Sequence, residues 1–103
     1  MSRTIHQADL AATTLTDIYT APTEANIMHL SVCNHTGGAL TFRLALAPNG
    51  EADNAKHYIL YGKSVPATDT YQPPYTLPVP AQTVLRAYAS AVGISITVIA
   101  DET

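Results

Sequence analysis

Apolar side chains recur at every second position along most of this 103-residue chain, in short runs bounded by Gly, Pro and Asn. That spacing returns a β-strand's side chains to one face. In "NIMHLSVCN" the alternation predicts Met28, Leu30 and Val32 facing a core, with Ile27, His29, Ser31 and Cys33 turned away. "TFRLALA" repeats it with Phe42, Leu44 and Leu46 inward and Arg43 outward. "TVLRAYA" sets Leu85, Ala87 and Ala89 against Val84, Arg86 and Tyr88, and "ISITVIA" sets Ile94, Ile96 and Val98 against Ser95 and Thr97. Each reads as a strand with one wet face in an antiparallel sheet. Adding "TLTDIYTA", "HYILYG" and two pieces at 65–71 and 75–79 gives about eight short strands. The expected fold is all-β, an antiparallel β-sandwich of jelly-roll or immunoglobulin-like type.

The connections are read from the same punctuation. Gly37 and Gly38 in "NHTGGA" are expected to supply the positive φ of a hairpin turn, and Gly93 in "SAVGI" another. "PNGEADNAK" reads as a polar loop, and the one helical candidate is a single turn within Glu51 to Lys56. Residues 1–14 form an N-terminal arm or edge strand, and 15–103 a single sandwich domain. "TYQPPYTLPVP", Thr70 to Pro80, holds four prolines. Proline has no N–H to give a central strand, so this segment belongs at an edge: a strand, a Pro-Pro turn and a second strand. A polyproline ligand is the weaker reading, because no Pro-x-x-P spacing or flanking basic residue occurs.

Charge changes the picture more than hydropathy does. Charged residues make up 13% of the chain, about half the usual ~25%, so Thr, Ala and Tyr must supply the exterior. Such a surface repels neighbours weakly, which suits assembly. The net charge of −3 and the scatter of Arg3, Arg43, Lys56, Lys63 and Arg86 leave no basic stripe, so nucleic acid is not an expected partner. No apolar run approaches the ~18 residues of a membrane span, and "MSRTIHQADL" lacks the apolar centre of a signal peptide; no membrane partner is expected, and synthesis in the cytoplasm is. Cys33 is the sole cysteine, so no intrachain disulfide can form.

Candidate chemistry is sparse. Cys33 and His35, with His29 and His57, offer zinc-type ligands without a standard spacing, and a half-buried thiol with surface histidines is the stronger reading. Asn49, Glu51 and Asp53 alternate faintly like a calcium loop but lack its terminal Glu and helical frame. Ser90, His57 and Asp69 name a triad without a nucleophile elbow. Gly37-Gly38 leads into a strand rather than a helix and so cradles no phosphate. No catalytic residue, metal or cofactor is expected. Tyrosine is the exception: Tyr58, Tyr61, Tyr71 and Tyr75 crowd around the proline segment, and tyrosine brings large amphipathic area to interfaces at low entropy cost. The expected interface residues are Tyr71, Pro73, Pro74, Tyr75 and Tyr61, whereas Tyr58 reads as a roof over the core.

The succession "DIYTAP", "MHLSVCN", "LTFRLALAPNG", "KHYILYGKSVPATDT", "YTLP" and "VLRAYASAVGISITVIADE" resembles a family of small β-sandwich virion structural proteins of tailed bacteriophages, over about Thr14 to Glu102. The likeness is carried by "IYTAP", "VCN", "HYI", "YG", "AYAS" and "SITV", which position strands and are not catalytic signatures. It departs at "YQPPYTLPVP", where a plainer hairpin is expected. The resemblance implies a particle component such as a head decoration (cement), collar, tail or fibre-attachment protein. It implies symmetric homo-oligomers whose partners are themselves and other virion proteins. The rival expectation, from another class, is a carbohydrate-binding module for host-surface adhesion, with a small hydrolase well behind both.

Overall fold

The computed structural model describes residues 2–103. Nine strands are present among the described residues: β1 (Ser2–Asp9), β2 (Thr16–Thr20), β3 (Ala25–Asn34), β4 (Leu40–Ala47), β5 (Tyr58–Val65), β6 (Asp69–Tyr71), β7 (Leu77–Val79), β8 (Val84–Ala89) and β9 (Ile94–Glu102). Single 3-10 turns at Pro48–Gly50 and Ala55–His57 are the only helical pieces among the described residues, and the second overlaps the end of the expected turn. Sheet A runs β1-β9-β3-β6, with β7 also on β3; sheet B runs β2-β8-β4-β5. Every strand pair within them is antiparallel.

The order has a simple origin. The chain forms one long nested ribbon, β4 with β5, β3 with β6 and β7, β2 with β8, and β1 with β9, which then rolls up so that β9 also meets β3 and β8 also meets β4. With β6 and β7 counted as one interrupted strand, this is the eight-stranded winding of a jelly roll rather than the immunoglobulin arrangement. Only β4 and β5 are joined as neighbours in one sheet at the ribbon's tip; most other connections pass between sheets.

The core lies between the sheets and holds the inward sets expected of three strands: Phe42 and Leu44, Leu85, Ala87 and Ala89, and Ile94, Ile96 and Val98, with Leu46 packed at its margin. In β3 the expected phase needs correction. Ile27 is buried and Met28 exposed, because Ile27 pairs with Ala100 while His29 pairs with Ile99, leaving Met28 as an extra residue. A bulge of this kind resets the inward phase without breaking the strand, so Leu30 and Val32 point in as expected.

Two turn readings also change. Gly37 and Gly38 are not among the positive-φ residues, since β3 and β4 lie in different sheets and the segment is a crossover, not a hairpin. Asn34 stabilises it: its buried amide donates to the carbonyls of Gly38 (2.8 Å), Val65 (3.1 Å) and Pro66 (3.2 Å), and its Oδ1 accepts from the Thr36 N–H and hydroxyl. Gly93 does have positive φ (127°), and a Cβ there would lie 2.1 Å from Thr36 Cγ2, so both the backbone and the packing require glycine.

The proline segment is at the edge, as expected, but does not turn back. Asp69 to Tyr71 pair with Asn34 to Val32, and Leu77 to Val79 continue in the same direction against Ile27 to Ala25. Gln72, Pro73, Pro74, Tyr75 and Thr76 leave the ladder between them. The N-terminal segment is strand β1, paired with β9 along its whole length.

Candidate interaction surface

The residues with most potential for contact gather on the outer face of sheet B. Alternation along β4 buries Phe42 and Leu44 and leaves Arg43 outside; on β8 it buries Ala87 and Ala89 and leaves Tyr88 outside. Register does the rest. Arg43 stands opposite Tyr61 on one side and Tyr88 on the other, so a cation and two aromatic rings form one row across three strands. The guanidinium carbon lies 4.2 Å from the Tyr61 ring centroid and 4.1 Å from that of Tyr88. Each contact of this kind contributes about 0.5–1 kcal/mol at an exposed site, which holds a long side chain in one place. Tyr61 is 65% exposed. Tyr58 meets Tyr61 edge to face at 5.1 Å between centroids. Its hydroxyl pKa is pushed up, first by burial and then by Asp53, while Arg43 pulls it the other way.

A second row adjoins the first. Arg86 donates to Asp17 Oδ1 at 2.8 Å and to the backbone carbonyl of Glu51 at 2.8 Å, tying β8 to β2 and to the loop after β4. Among the described residues no carboxylate pairs with Arg43 or Lys63.

The expected interface residues are divided by this arrangement. Tyr61 sits in the outer row of sheet B. Tyr71 is half-buried at the open side of the sandwich, its ring 5.7 Å from that of Phe42 and covered by the Lys63 ammonium at 5.1 Å. Pro73 is half-buried, while Pro74 and Tyr75 are exposed on the segment that leaves the edge of sheet A. Tyr58 is not part of the core cluster it was expected to roof; it belongs to the row with Tyr61. Arg43 and Tyr88 were legible as outward residues, but nothing in either strand alone announces that they meet.

The chemical candidates stay apart. Ser90 Oγ accepts from the Thr41 N–H, buried His57 faces Glu51 at 3.2 Å, and Asp69 accepts from the Thr70 N–H on the other sheet. Cys33 is half-buried on β3, and His35 bonds Ser95 Oγ at 3.2 Å. Glu51 Oε1 is bonded to His57 Nε2. Among the described residues no three His, Cys, Asp or Glu side chains come together as metal ligands. No helix among them is long and apolar enough to cross a membrane. Neither a protein-family model nor a curated protein matches this chain.

Proposed function

We propose that this chain is a noncatalytic virion structural protein of a tailed bacteriophage, one that oligomerises and docks on the particle as a head-decoration, collar, tail or fibre-attachment component. The observation that carries the reading is the Tyr61–Arg43–Tyr88 row, set by strand register on the outer face of sheet B and without a carboxylate partner among the described residues. Tyrosine and arginine are the residue types that dominate contact energy at interfaces, and side chains already fixed lose little entropy on docking. The low charge of the whole chain and the resemblance noted in its sequence support the same reading.

The rival reading, glycan binding for adhesion, needs aromatic faces free to stack on sugar rings. Tyr61 and Tyr88 each turn a face to the Arg43 guanidinium, which weighs against it. Mass spectrometry of purified particles of the phage encoding the chain tests the proposal. The protein is expected at a stoichiometry set by particle symmetry, and its absence from the particle would defeat the virion role. Saturable binding on a glycan array, lost with Tyr61→Ala, would favour the rival.

A further inference from the structure

We propose that the partner of the sheet B face is a second copy of this chain, received head to tail on the outer face of sheet A. The inference rests on the oligomeric reading above and names its contact. Its first ground is the division of charge. The strands of sheet A carry Asp9, Asp69, Asp101 and Glu102 against Arg3 alone, whereas those of sheet B carry Arg43, Lys63 and Arg86 against Asp17 alone. By pairing, Asp69 shares the side of buried Asn34, Glu102 that of buried Ala25 and Lys63 that of buried Phe42, so the outer faces carry Asp9 and Asp101 against Arg3 on sheet A, and Arg43 and Arg86 against Asp17 on sheet B.

Internal pairing then shows which charges remain for a neighbour. Arg3 holds Asp101 at 2.7 Å, Arg86 holds Asp17, and Glu102 accepts the Tyr19 hydroxyl. On sheet B, the Arg43 guanidinium carbon lies over two rings with the Tyr58 hydroxyl as polar neighbour and no carboxylate partner among the described residues, so guanidinium N–H groups are left for an incoming carboxylate. On sheet A the uncompensated outward carboxylate is Asp9, exposed at the end of β1, its Oδ1 accepting from Ser95 Oγ at 2.6 Å. Asp9 lines a hollow of about 360 Å³ with Gln7, Ser95 and Thr97, whose side chains offer further polar atoms. An exposed tyrosine beside a fixed guanidinium on one face thus has a polar, acid-bearing hollow as its counterpart on the other.

Symmetry favours the unlike pairing. Sheet B against sheet B would bring the Arg43 guanidinium groups of two copies together, and sheet A against sheet A would oppose their Asp9 carboxylates; like charges facing each other cost affinity. Sheet B against sheet A matches cation to anion. Such a contact is heterologous, so it closes into a ring or runs on as a filament. The largest cross-section of the domain, 39 × 26 Å, is large enough for the ~800 Å² per partner of a standard interface.

Sedimentation velocity of the full chain at low ionic strength tests this with wild type, Arg43→Glu, Asp9→Arg and an equimolar mixture of the two variants. Wild type is expected to form concentration-dependent larger species that salt weakens. Each variant alone should lose them, with apparent affinity reduced roughly tenfold or more. The mixture should regain the larger species, because the unaltered sheet B of Asp9→Arg meets the unaltered sheet A of Arg43→Glu, and the two altered faces are again opposite in charge. Both side chains project from outer positions, and circular dichroism of each variant, expected to match wild type, checks that the fold is kept. A wild type that stays monomeric at every concentration overturns the inference, as does Arg43→Glu assembling like wild type. Loss with Arg43→Glu but not with Asp9→Arg would also overturn it, in favour of a two-fold contact through sheet B. These outcomes are separate from the virion reading, which stands or falls on whether the protein is found in the particle.

Discussion

Asn34 shows how much one side chain can hold when the backbone leaves it no alternative. Fully buried, it satisfies three carbonyls and two donors from two crossovers that run side by side between the sheets. Asn34→Ala would strand those groups away from water, and a loss of about 2–4 kcal/mol in urea unfolding is expected. Asn34→Asp should be no milder, because a carboxylate cannot donate to three carbonyls. Tyr19 makes a pH-dependent contribution. Burial, then the 2.5 Å bond to Glu102, pushes its pKa above the ordinary value. The neutral phenol's share of stability is therefore whole below the unfolded-state value of about 10, and is lost as pH climbs beyond it. Unfolding midpoints measured from pH 8 to 12 should be flat at first and then fall, and Tyr19→Phe should flatten part of that fall; an identical alkaline slope in the variant would contradict the assignment. Sequence alone revealed the inward sets around Phe42, Leu85 and Ile96, since alternation is a local property. It did not reveal Asn34, whose partners lie on segments that meet it only in the folded sandwich.

Among the elements, the edge of sheet A is the most unusual. β6 and β7 lie in line on β3 with the proline segment lifted between them, so the edge is interrupted opposite the bulge at Met28. Prolines and bulges both discourage stray strand pairing. Replacing Pro73 and Pro74 together by threonine should allow a continuous edge strand along β3, with global stability changed by no more than about 1 kcal/mol. Thioflavin-detected aggregation should rise, and unchanged aggregation would show that the prolines do not guard this edge. Proline chemistry made the edge position readable in advance. The direction of the second strand was not readable, because leaving and rejoining the same ladder looks in sequence like a hairpin. Met28 and Ile27 exchanged places for a related reason: one inserted residue inverts a two-residue period without leaving any local sign. The row of Tyr61, Arg43 and Tyr88 likewise depends on register between three strands. Their outward direction was legible, and their meeting was not.

The whole molecule is a rolled ribbon with two outer faces of opposite character. Composition foretold a weakly charged surface suited to contact. The separation of charge between the sheets became visible only once the winding had assigned β1 and β9 to one layer and β4, β5 and β8 to the other. On the proposed virion role a building block works by repetition, so whether and how it is arranged on a particle is the most direct test of that proposal. A cryo-electron density map of the virion should place this jelly roll at symmetry-related positions, with the Tyr61–Arg43–Tyr88 row buried against a neighbouring molecule. A map in which the protein occupies no site, or in which that row faces open solvent at every site, would contradict it.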